Sequence, residues 1–378
     1  MLFLITALII AAACSTITIK TMVGYTDLKF VYKAIVAALI VLGWFGVIIV
    51  HQLKGLPGIN LTFYSAISSF LYSLLGIVFI LFICIMLRDI VWYMIFYFVK
   101  ALKLDAMSID PQNLSLLNRA NLIVLFFTAV ISGYAFYQGY KKPDIIQEVL
   151  YSDKVSRNLR IALVSDLHIT RATPNSKILL TIDEINKINP DIIVLAGDTI
   201  DDNIAIVQDK ISLLSGLSAP YGVYAVMGNH EFYNNVYEAK KLLEDTGIKF
   251  LYNGGVHIGN SNIYLSGLPD FTTMFERINL WRSIKNAKKD DYKILLSHQP
   301  IIINSLNKDL YDMVLSGHTH GGQIFPMHLL AKKANSYLAG KYLVNGINLF
   351  VSRGAGNWGP QMRLFAPSDI MLIDLLKK

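Results

Sequence analysis

Long apolar stretches dominate the first 140 residues of the chain. Four of them, at 2–19, 34–53, 66–87 and 122–139, each approach the roughly 20 residues that a helix needs to cross the hydrocarbon core of a bilayer. The first stretch is interpreted as a retained helix and not as a signal peptide, because it lacks a basic N-terminal region and further spans follow it. The pattern therefore predicts an all-α transmembrane region of four helices over residues 1–140.

A fifth apolar run, 90–99, is separated from the third span only by Arg88 and Asp89. Two opposite charges at such a position can form a functional pair inside the membrane. The preferred interpretation is that the span ends there, and that 90–99 forms a short aromatic helix along the membrane interface.

From about residue 157 the pattern changes. Short β-branched runs alternate with amphipathic or turn-rich segments, which is typical of an α/β domain. A second domain is therefore predicted over 157–378, joined to the membrane region by a linker at 141–156.

Polar side chains follow five of these predicted strands, at the point where each strand ends. In chain order they are Asp166 and His168, Asp198 and Asp201, Asn229 and His230, His298, and His318 and His320. The carboxyl edge of the strands is where α/β sheets form their ligand sites. Burying such groups in a core without partners would cost roughly 1–3 kcal/mol each. A shared ligand site is therefore the better interpretation.

Composition agrees with a membrane part and narrows the possible partners. The chain is 54% hydrophobic and only 16% charged, which is more apolar than an ordinary soluble protein. Its net charge of +7 arises largely from basic loops, since residues 1–140 hold eight Lys/Arg and four Asp/Glu. Nucleic acid is therefore not expected as a partner. Both cysteines, Cys14 and Cys84, lie in apolar runs, which excludes a disulfide framework and a cysteine metal site.

The distribution of basic residues predicts the orientation in the membrane. Most of those in the first 140 residues follow the first and third apolar stretches: Lys20, Lys29, Lys33, Arg88, Lys100, Lys103 and Arg119. The positive-inside rule places these segments in the cytoplasm and both chain ends outside. Lys141 and Lys142 oppose this orientation, and a crossing by 90–99 would invert it. The protein is thus predicted to be a multi-pass protein of the cell (inner) membrane, with an extracytoplasmic C-terminal domain.

The polar residues at the strand ends have the chemistry of a metal site. Imidazole, carboxylate and carboxamide ligands without thiolate suit divalent ions such as Mn, Fe or Zn. There are enough ligands for two ions. Two ions about 3.5–4 Å apart can clamp the attacking and leaving oxygens of a phosphoryl group.

The order of the motifs along the chain carries a family resemblance. D-x-H, G-D-x-x-D, G-N-H-E, a lone H and G-H-x-H follow one another, and this order resembles the calcineurin-like metallophosphoesterase family over about 159–375. The resemblance implies an α/β fold, a four-layer αββα sandwich, with two divalent metal ions as cofactors.

The resemblance also implies a role for each motif residue. The implied metal ligands are Asp166, His168 and His320 for the first ion, Asn229, His298 and His318 for the second, and Asp198 as a bridge between them. His230 would face the leaving-group oxygen as a general acid or charge stabiliser, oriented by Asp201. Gly317 is expected to bend the chain so that the two following histidines address different ions, and Gly321 and Gly322 to let the backbone pass close by.

Two further segments have open interpretations. A glycine-rich segment at 352–360 contains Arg353 and is followed by Arg363, and both arginines are predicted to bind an anionic phosphate. The alternative is a tight turn in which Arg363 pairs with a surface acid. Apolar residues at 325–330 and 337–338 either belong to the core, which the sequence favours, or admit a lipid tail.

The resemblance and the membrane region together imply a metal-dependent phosphoric ester hydrolase. Its substrate would be a phosphate ester or pyrophosphate, and the tether to a bilayer makes a phospholipid or lipid-linked nucleotide a reasonable class. The alternatives are a nucleotide phosphodiesterase, a broad-range phosphomonoesterase, and a regulatory or binding module that retains the fold. The expected partners are a phosphorylated small molecule or lipid and the lipid bilayer. The oligomeric state does not follow from the motifs.

Overall fold

The computed structural model describes residues 2–26, 28–54, 56, 58–233, 235–271 and 277–378. The chain divides into two compact units. The N-terminal unit comprises residues 1–137 together with 359–362, and the C-terminal unit comprises 138–358 together with 363–378.

The N-terminal unit is helical. Its helices are α1 (Leu2–Ile19), which continues as a π-helix (Lys20–Gly24), α2 (Phe30–Lys54), α3 (Leu61–Ala101) and α4 (Leu114–Tyr140). Among the described residues, α2, α3 and α4 are long and apolar enough to cross a membrane, whereas α1 contributes only a shorter apolar segment. Three candidate spans are therefore supported, one fewer than the four that the sequence predicts.

Helix α3 runs without a break through the charged pair that was expected to end it. Its 41 residues, at 1.5 Å each, extend for about 60 Å. Arg88 Nη2 lies 2.7 Å from Asp89 Oδ1, and Arg88 Nη1 donates to the Asn121 side chain on α4. Because Asp89 neutralises the guanidinium and Asn121 accepts one of its hydrogen bonds inside the unit, the helix does not have to end where the charges occur. The prediction of a separate interfacial helix at 90–99 is therefore wrong.

The C-terminal unit is an α/β domain. Its strands are β1 (Asp144–Ser152), β2 (Leu159–Val164), β3 (Ile192–Ala196), β4 (Val223–Val226), β5 (Lys249–Phe250), β6 (Gly254–His257), β7 (Ile263–Gly267), β8 (Tyr292–Leu296), β9 (Met313–Ser316), β10 (Gly340–Val344), β11 (Ile347–Val351) and β12 (Asp369–Lys377). Its helices are α5 (Asn175–Lys187), α6 (Ile204–Ser212), α7 (Asn229–Tyr233), α8 (Val236–Glu244), α9 (Leu280–Ser283) and α10 (Met327–Asn335).

The strands form two six-stranded sheets. The first has the order β1-β12-β2-β3-β4-β5 and the second the order β10-β11-β9-β8-β7-β6. Both sheets are mixed, since β12 is antiparallel to β2 and parallel to β1, and β10 is antiparallel to β11.

The two sheets pack face to face, and alternation along the strands shows how. On β2, Ile161 and Leu163 point into a core shared with Leu265 and Leu296 of the second sheet. Ala162 and Val164 alternate with these residues and point to the opposite face, where they pack in a separate core beneath α5, α6 and α8, because successive side chains of a strand point to opposite faces. Helix α9 and the 3-10 helix at Pro300–Ser305 cover the outer face of the second sheet. The predicted four-layer αββα sandwich is confirmed.

The segment predicted as a linker contains an edge strand. Strand β1 pairs with β12 in parallel along its whole length, from Asp144 opposite Asp369 to Ser152 opposite Lys377. Polar residues Gln147 and Glu148 interrupt its apolar pattern, but an edge strand tolerates them because one side and one face meet solvent. The linker prediction over 141–156 is therefore wrong for these nine residues.

Candidate metal centre

The motif residues follow parallel strands whose carboxyl ends lie on one edge of the domain. In the first sheet β2, β3 and β4 are parallel neighbours, and in the second β8 and β9 are. Asp166 comes two residues after β2, Asp198 two after β3 and His298 two after β8. The parallel arrangement thus delivers these side chains to the same edge, as the sequence predicted.

The backbone at these strand ends is strained. Five of the predicted metal ligands have positive φ: Asp166 (54°), His168 (43°), Asp198 (52°), His318 (73°) and His320 (50°). Residues with a Cβ rarely occupy this region, and such conformations persist only where the surrounding structure enforces them, typically at functional sites. The strained turns aim the side chains away from their strands and toward one another.

The first group of candidate ligands is fully internal. Asp166, His168 and His320 are all buried. His168 Nε2 lies 3.0 Å from His320 Nε2, and Asp166 Oδ1 lies 3.6 Å from His320 Nε2. Two ring nitrogens and a carboxylate oxygen therefore converge on one point, as ligands of a single cation would.

The second group gathers around His298. Its Nε2 atom lies 3.2 Å from Asp198 Oδ2, 3.1 Å from Asn229 Oδ1 and 3.1 Å from His318 Nδ1. The other ring nitrogen, Nδ1, donates to the carbonyl of Ala196 at 2.7 Å, which orients the ring and leaves Nε2 directed at the group.

Asp198 stands between the two groups. Its Oδ2 atom lies 3.7 Å from His168 Nε2 of the first group as well as 3.2 Å from His298 Nε2 of the second. Its other oxygen, Oδ1, accepts from the backbone N–H of His230 at 2.8 Å, so the carboxylate is held in place. Asp198 therefore lies within reach of ligands of both groups, and its predicted role as a bridge stays a prediction.

His230 and Asp201 form a separate pair beside the ligand groups. His230 Nδ1 lies 2.7 Å from Asp201 Oδ1, and Asp201 Oδ2 also lies 3.3 Å from His168 Nδ1. Burial alone would raise the pKa of Asp201, but its contacts with the two histidines hold that pKa well below its usual value. The ionised carboxylate orients the His230 ring and also lies beside His168, a proximity that was not foreseen from the sequence.

The donor set fits a pair of divalent cations. Burial lowers the pKa of His318 and His320, so both rings are neutral, which is the form that binds metals. Burial also lowers the pKa of His298, but Asp198 outweighs it and raises that pKa to about 10. Positive charge is therefore favoured beside His298 and Asp198. The donors are nitrogen and oxygen atoms without thiolate, a set that suits Mn, Fe or Zn.

Comparison with known proteins agrees with this geometry. The sequence model of the family described as calcineurin-like phosphoesterase matches residues 159–322. A metallophosphoesterase of Helicobacter pylori strain J99 that is described as uncharacterized is 36% identical over 267 residues, which cover 68% of this chain and 71% of that protein. This chain belongs to the calcineurin-like phosphoesterase family.

More distant members of the family extend the comparison. An uncharacterized metallophosphoesterase of Campylobacter jejuni is 33% identical over 258 residues, covering 66% of this chain and 68% of that protein. A zebrafish protein (Danio rerio) described as a transmembrane protein with a metallophosphoesterase domain is 28% identical over 274 residues, covering 68% of this chain and 63% of its own length. Both bacteria and animals therefore contain metallophosphoesterases similar to this one.

Glu231 is a buried carboxyl group to which the sequence interpretation gave no role. It accepts the backbone N–H groups of Asp198 at 3.1 Å, Ile200 at 2.8 Å and Gly228 at 2.8 Å. Burial and the nearby charge of Asp198 raise its pKa to about 7. Glu231 thus ties the turn after β3 to the turn after β4. The sequence feature that could have identified Glu231 as part of the site is its position directly after Asn229 and His230 in the motif.

Two glycines in these turns are required by close approach. A Cβ atom on Gly317 would overlap the side chains of Ser165 and Asp166, and one on Gly228 would overlap Asp198. Gly317 was expected to bend the chain, but positive φ begins only at His318. Its function is instead to let the turn after β9 pass against the turn after β2.

The two arginines predicted to bind substrate lie in different environments. Arg363 is completely buried, and its guanidinium donates to the carbonyls of Ala366, Arg353 and Gly354 at 2.9–3.1 Å, to that of Gly356, and to the Asn357 side chain. With these donors engaged, a direct contact between Arg363 and substrate is incompatible with the structure. The sequence could not show this, because the carbonyls are brought together only by the folded loop.

Arg353 is placed closer to solvent. Its side chain is 32% exposed and its Nη1 atom lies 3.3 Å from Asp369 Oδ2. It also lies beside Gly321 of the metal turn, where a Cβ would come within 3.1 Å of Arg353 Cγ. A substrate contact by Arg353 stays a prediction.

Exposed aromatic rings flank His230. The ring centroids of Tyr233 and Trp358 lie 5.2 Å and 6.2 Å from that of His230. Tyr233 is 66% exposed and Trp358 is 57% exposed. These rings offer an apolar approach to the metal centre.

A larger apolar surface begins directly after the metal turn, and we call it the α10 patch. It comprises Phe325, Met327, Leu329, Leu330 and Phe365, all of them exposed. Phe325 and Phe365 pack edge to face with centroids 5.7 Å apart, and Phe365 is held at a φ of 60°. The sequence favoured a core position for the residues at 325–330, and that interpretation is wrong for these side chains.

Proposed function

We propose that this protein is a membrane-anchored dinuclear-metal phosphoesterase that hydrolyses a phosphate ester or pyrophosphate bond of a lipid substrate, such as a phospholipid or a lipid-linked nucleotide. The observation that carries the proposal is the position of Asp198 between two groups of largely buried candidate ligands. Membership of the calcineurin-like phosphoesterase family and the transmembrane relatives support the class of reaction and the anchoring.

The residues of the site have different proposed roles in ion binding and in proton transfer. When bound, a pair of divalent ions supplies Lewis-acid activation of a phosphoryl group and of water. Asp198 and the histidines at the strand ends would hold that pair. His230, oriented through Nδ1 by Asp201, presents Nε2 on the same side of the site, where it can donate a proton to the leaving oxygen. No side chain of the site has to form a covalent intermediate.

The α10 patch supports a lipid as the substrate class. A Cβ on Gly322 would overlap the backbone of His328, so α10 begins in contact with the metal turn. All nine residues of α10 are at least partly exposed. Monomeric proteins rarely leave such apolar side chains grouped at the surface without a binding function. Lys332 and Lys333, in the last turn of α10, add positive charge that suits an anionic headgroup.

A substrate screen tests the proposal. Full-length protein in detergent micelles, loaded with Mn, Zn or Fe, is assayed against phosphomonoesters, phosphodiesters and lipid pyrophosphates, each as a long-chain and a short-chain version. We expect turnover, with a lower KM for the long-chain version of the preferred substrate. Asp198→Asn should lose activity and bound metal, whereas Asp209→Asn, an exposed acid outside the site, should retain both.

Paired substitutions separate the reaction class from the substrate class. Leu329→Ser with Leu330→Ser should raise the KM for the long-chain substrate about a hundredfold or more, because each leucine contributes roughly 1.5–3 kcal/mol when buried and every 1.4 kcal/mol corresponds to about a factor of ten. The matched control is Leu179→Ser with Leu180→Ser on α5, which also removes two exposed leucines. Hydrolysis of soluble nucleotides alone would overturn the lipid assignment. If the protein binds its full complement of metal but hydrolyses none of the phosphate compounds, the alternative of a binding module would be favoured over an enzyme.

A further inference from the structure

A crevice in the N-terminal unit lies between α3 and α4. Its volume is about 600 Å³, within the range of roughly 300–1,000 Å³ of sites that hold small molecules. The α3 side is formed by side chains at helical spacing, including Val91, Trp92 and Ile95, and the α4 side by Leu116, Ala120 and others. The crevice is therefore lined by one face of each of these two helices.

One end of the crevice is held by Trp92. Its Nε1 atom donates to the carbonyl of Ile109 at 2.8 Å, which ties the 3-10 helix at Met107–Ile109 to α3. Leu87, Val91 and Ile95 of the lining are 48–53% exposed. These exposed apolar side chains lie on helices that are long and apolar enough to cross a membrane, and an acyl chain is the filling that matches them.

Two arginines stand out in this apolar lining, and they differ in their partners. Arg88 is neutralised by Asp89 and hydrogen-bonded to Asn121. Arg119 is exposed, and across the described residues it forms no hydrogen bond or ion pair. The nearby carboxylates of Asp105 and Asp110 accept backbone N–H groups within their own turns. Arg119 thus leaves one positive charge at the crevice without a counter-ion.

We propose that this crevice binds a phospholipid with an anionic headgroup. One acyl chain lies along the apolar lining, and the phosphate accepts hydrogen bonds from the Arg119 guanidinium. A guanidinium binds phosphate through paired donors, and basic pockets between membrane helices recognise anionic lipids in this way. The inference rests on the N-terminal unit alone and does not depend on the proposed function.

Lipid retention tests the site. The full-length protein, purified in detergent with equal amounts of phosphatidylglycerol and phosphatidylcholine, is analysed by native mass spectrometry. We expect the wild-type protein to retain phosphatidylglycerol preferentially. Arg119→Gln should lower this retention roughly tenfold, as expected for loss of charge-assisted hydrogen bonds. Ala120→Phe, which fills the crevice without changing charge, should lower it by a similar factor.

The controls distinguish a specific site from general attraction to the bilayer. Lys29→Gln removes one exposed charge outside the crevice and should leave retention unchanged. If size-exclusion chromatography shows that the Ala120→Phe protein is aggregated, Ala120→Leu provides a smaller filling change. Equal retention of the two lipids, or retention that Arg119→Gln leaves unaltered, would overturn the proposal.

Discussion

His230 could act either as a general acid or as a metal ligand, and its contacts with Asp201 and Asp198 bear on this question. Its Nδ1 atom is 2.7 Å from Asp201, whereas its Nε2 atom is 3.9 Å from Asp198 Oδ2. A metal ligand and a general acid would use the same Nε2 atom. The structure also groups His230 with His168 and Asp198 as residues that could hold an ion. Removal of the ring can decide between the two roles.

We predict that His230→Ala lowers kcat by about 10²- to 10⁴-fold, the usual contribution of a general acid, with metal content unchanged. Turnover and metal content by inductively coupled plasma mass spectrometry are the two measurements. The control is His257→Gln, which retains a donor toward Asp291 at a histidine outside the centre. Loss of one ion in the alanine variant would show that His230 is a ligand.

Substitution of Arg363 is expected to affect stability, whereas substitution of Arg353 is expected to affect substrate binding. We expect Arg363→Met to destabilise the fold by several kcal/mol, because the carbonyls of Ala366, Arg353 and Gly356 would lose a donor, at about 1–3 kcal/mol for each one left unsatisfied. Arg353→Gln should instead raise KM with little change in the unfolding midpoint, since its side chain is partly exposed. Thermal unfolding and steady-state kinetics of both variants provide the check. Equal midpoints for the two variants would contradict the structural role of Arg363.

At the scale of elements, helix α5 contains a lysine in an unfavourable setting. Lys177 Nζ donates to the carbonyl of Gly139 at 2.8 Å and lies 5.9 Å from the centre of the Tyr140 ring. Burial, with a smaller effect of Arg363, lowers its pKa to about 7. The unfolded chain has the ordinary lysine pKa near 10.5, so between pH 7 and 10.5 the unfolded state binds one more proton than the folded state.

This difference predicts how stability depends on pH. Stability should rise with pH across that window, by at most about 1.4 kcal/mol per pH unit from this group, because deprotonation relieves the buried charge. Lys177→Met should flatten the rise, which thermal unfolding midpoints at pH 7, 8.5 and 10 can measure. Lys187→Met on the same helix, at an exposed position, is the control. An unchanged slope in Lys177→Met would show that the lysine is charged in the folded state.

Strand β1 shows why element boundaries near the domain junction were missed. Its apolar residues alternate with polar ones only in part, and its partner β12 is separated from it by more than two hundred residues of chain. Local patterns carry no information about such a pairing. The five strands that end in motif residues were recognised because each is a continuous apolar run followed by a polar turn.

At the scale of the whole molecule, the orientation of the catalytic unit is a prediction. The basic residues near the start of α2, and Lys100, Lys103 and Arg119 around the connection between α3 and α4, predict that both connections are cytoplasmic and that α4 leads outward. This result is the same whether or not α1 crosses the membrane, because it is counted from these two connections. The shortened count of candidate spans therefore does not change the predicted side.

Protease treatment of intact cells or spheroplasts tests the orientation. We expect the C-terminal unit to be trimmed without lysis, at exposed segments such as residues 288–290 between α9 and β8. A cytoplasmic marker protein should stay intact in the same sample. Cleavage that occurs only after lysis would place the catalytic unit in the cytoplasm and would exclude extracytoplasmic substrates.

The sequence by itself determined the family, the candidate ligands and the presence of long apolar helices, because each follows from local patterns of residues. Only the tertiary structure decided four features: the positive φ of the candidate ligands, the carbonyl groups that surround the Arg363 guanidinium, the pairing of β1 with β12, and the exposure of the α10 patch. Each of these depends on which distant segments meet. Apolar side chains such as Leu329 and Leu330 are equally compatible with a core and with a binding surface until the neighbouring chain is in place.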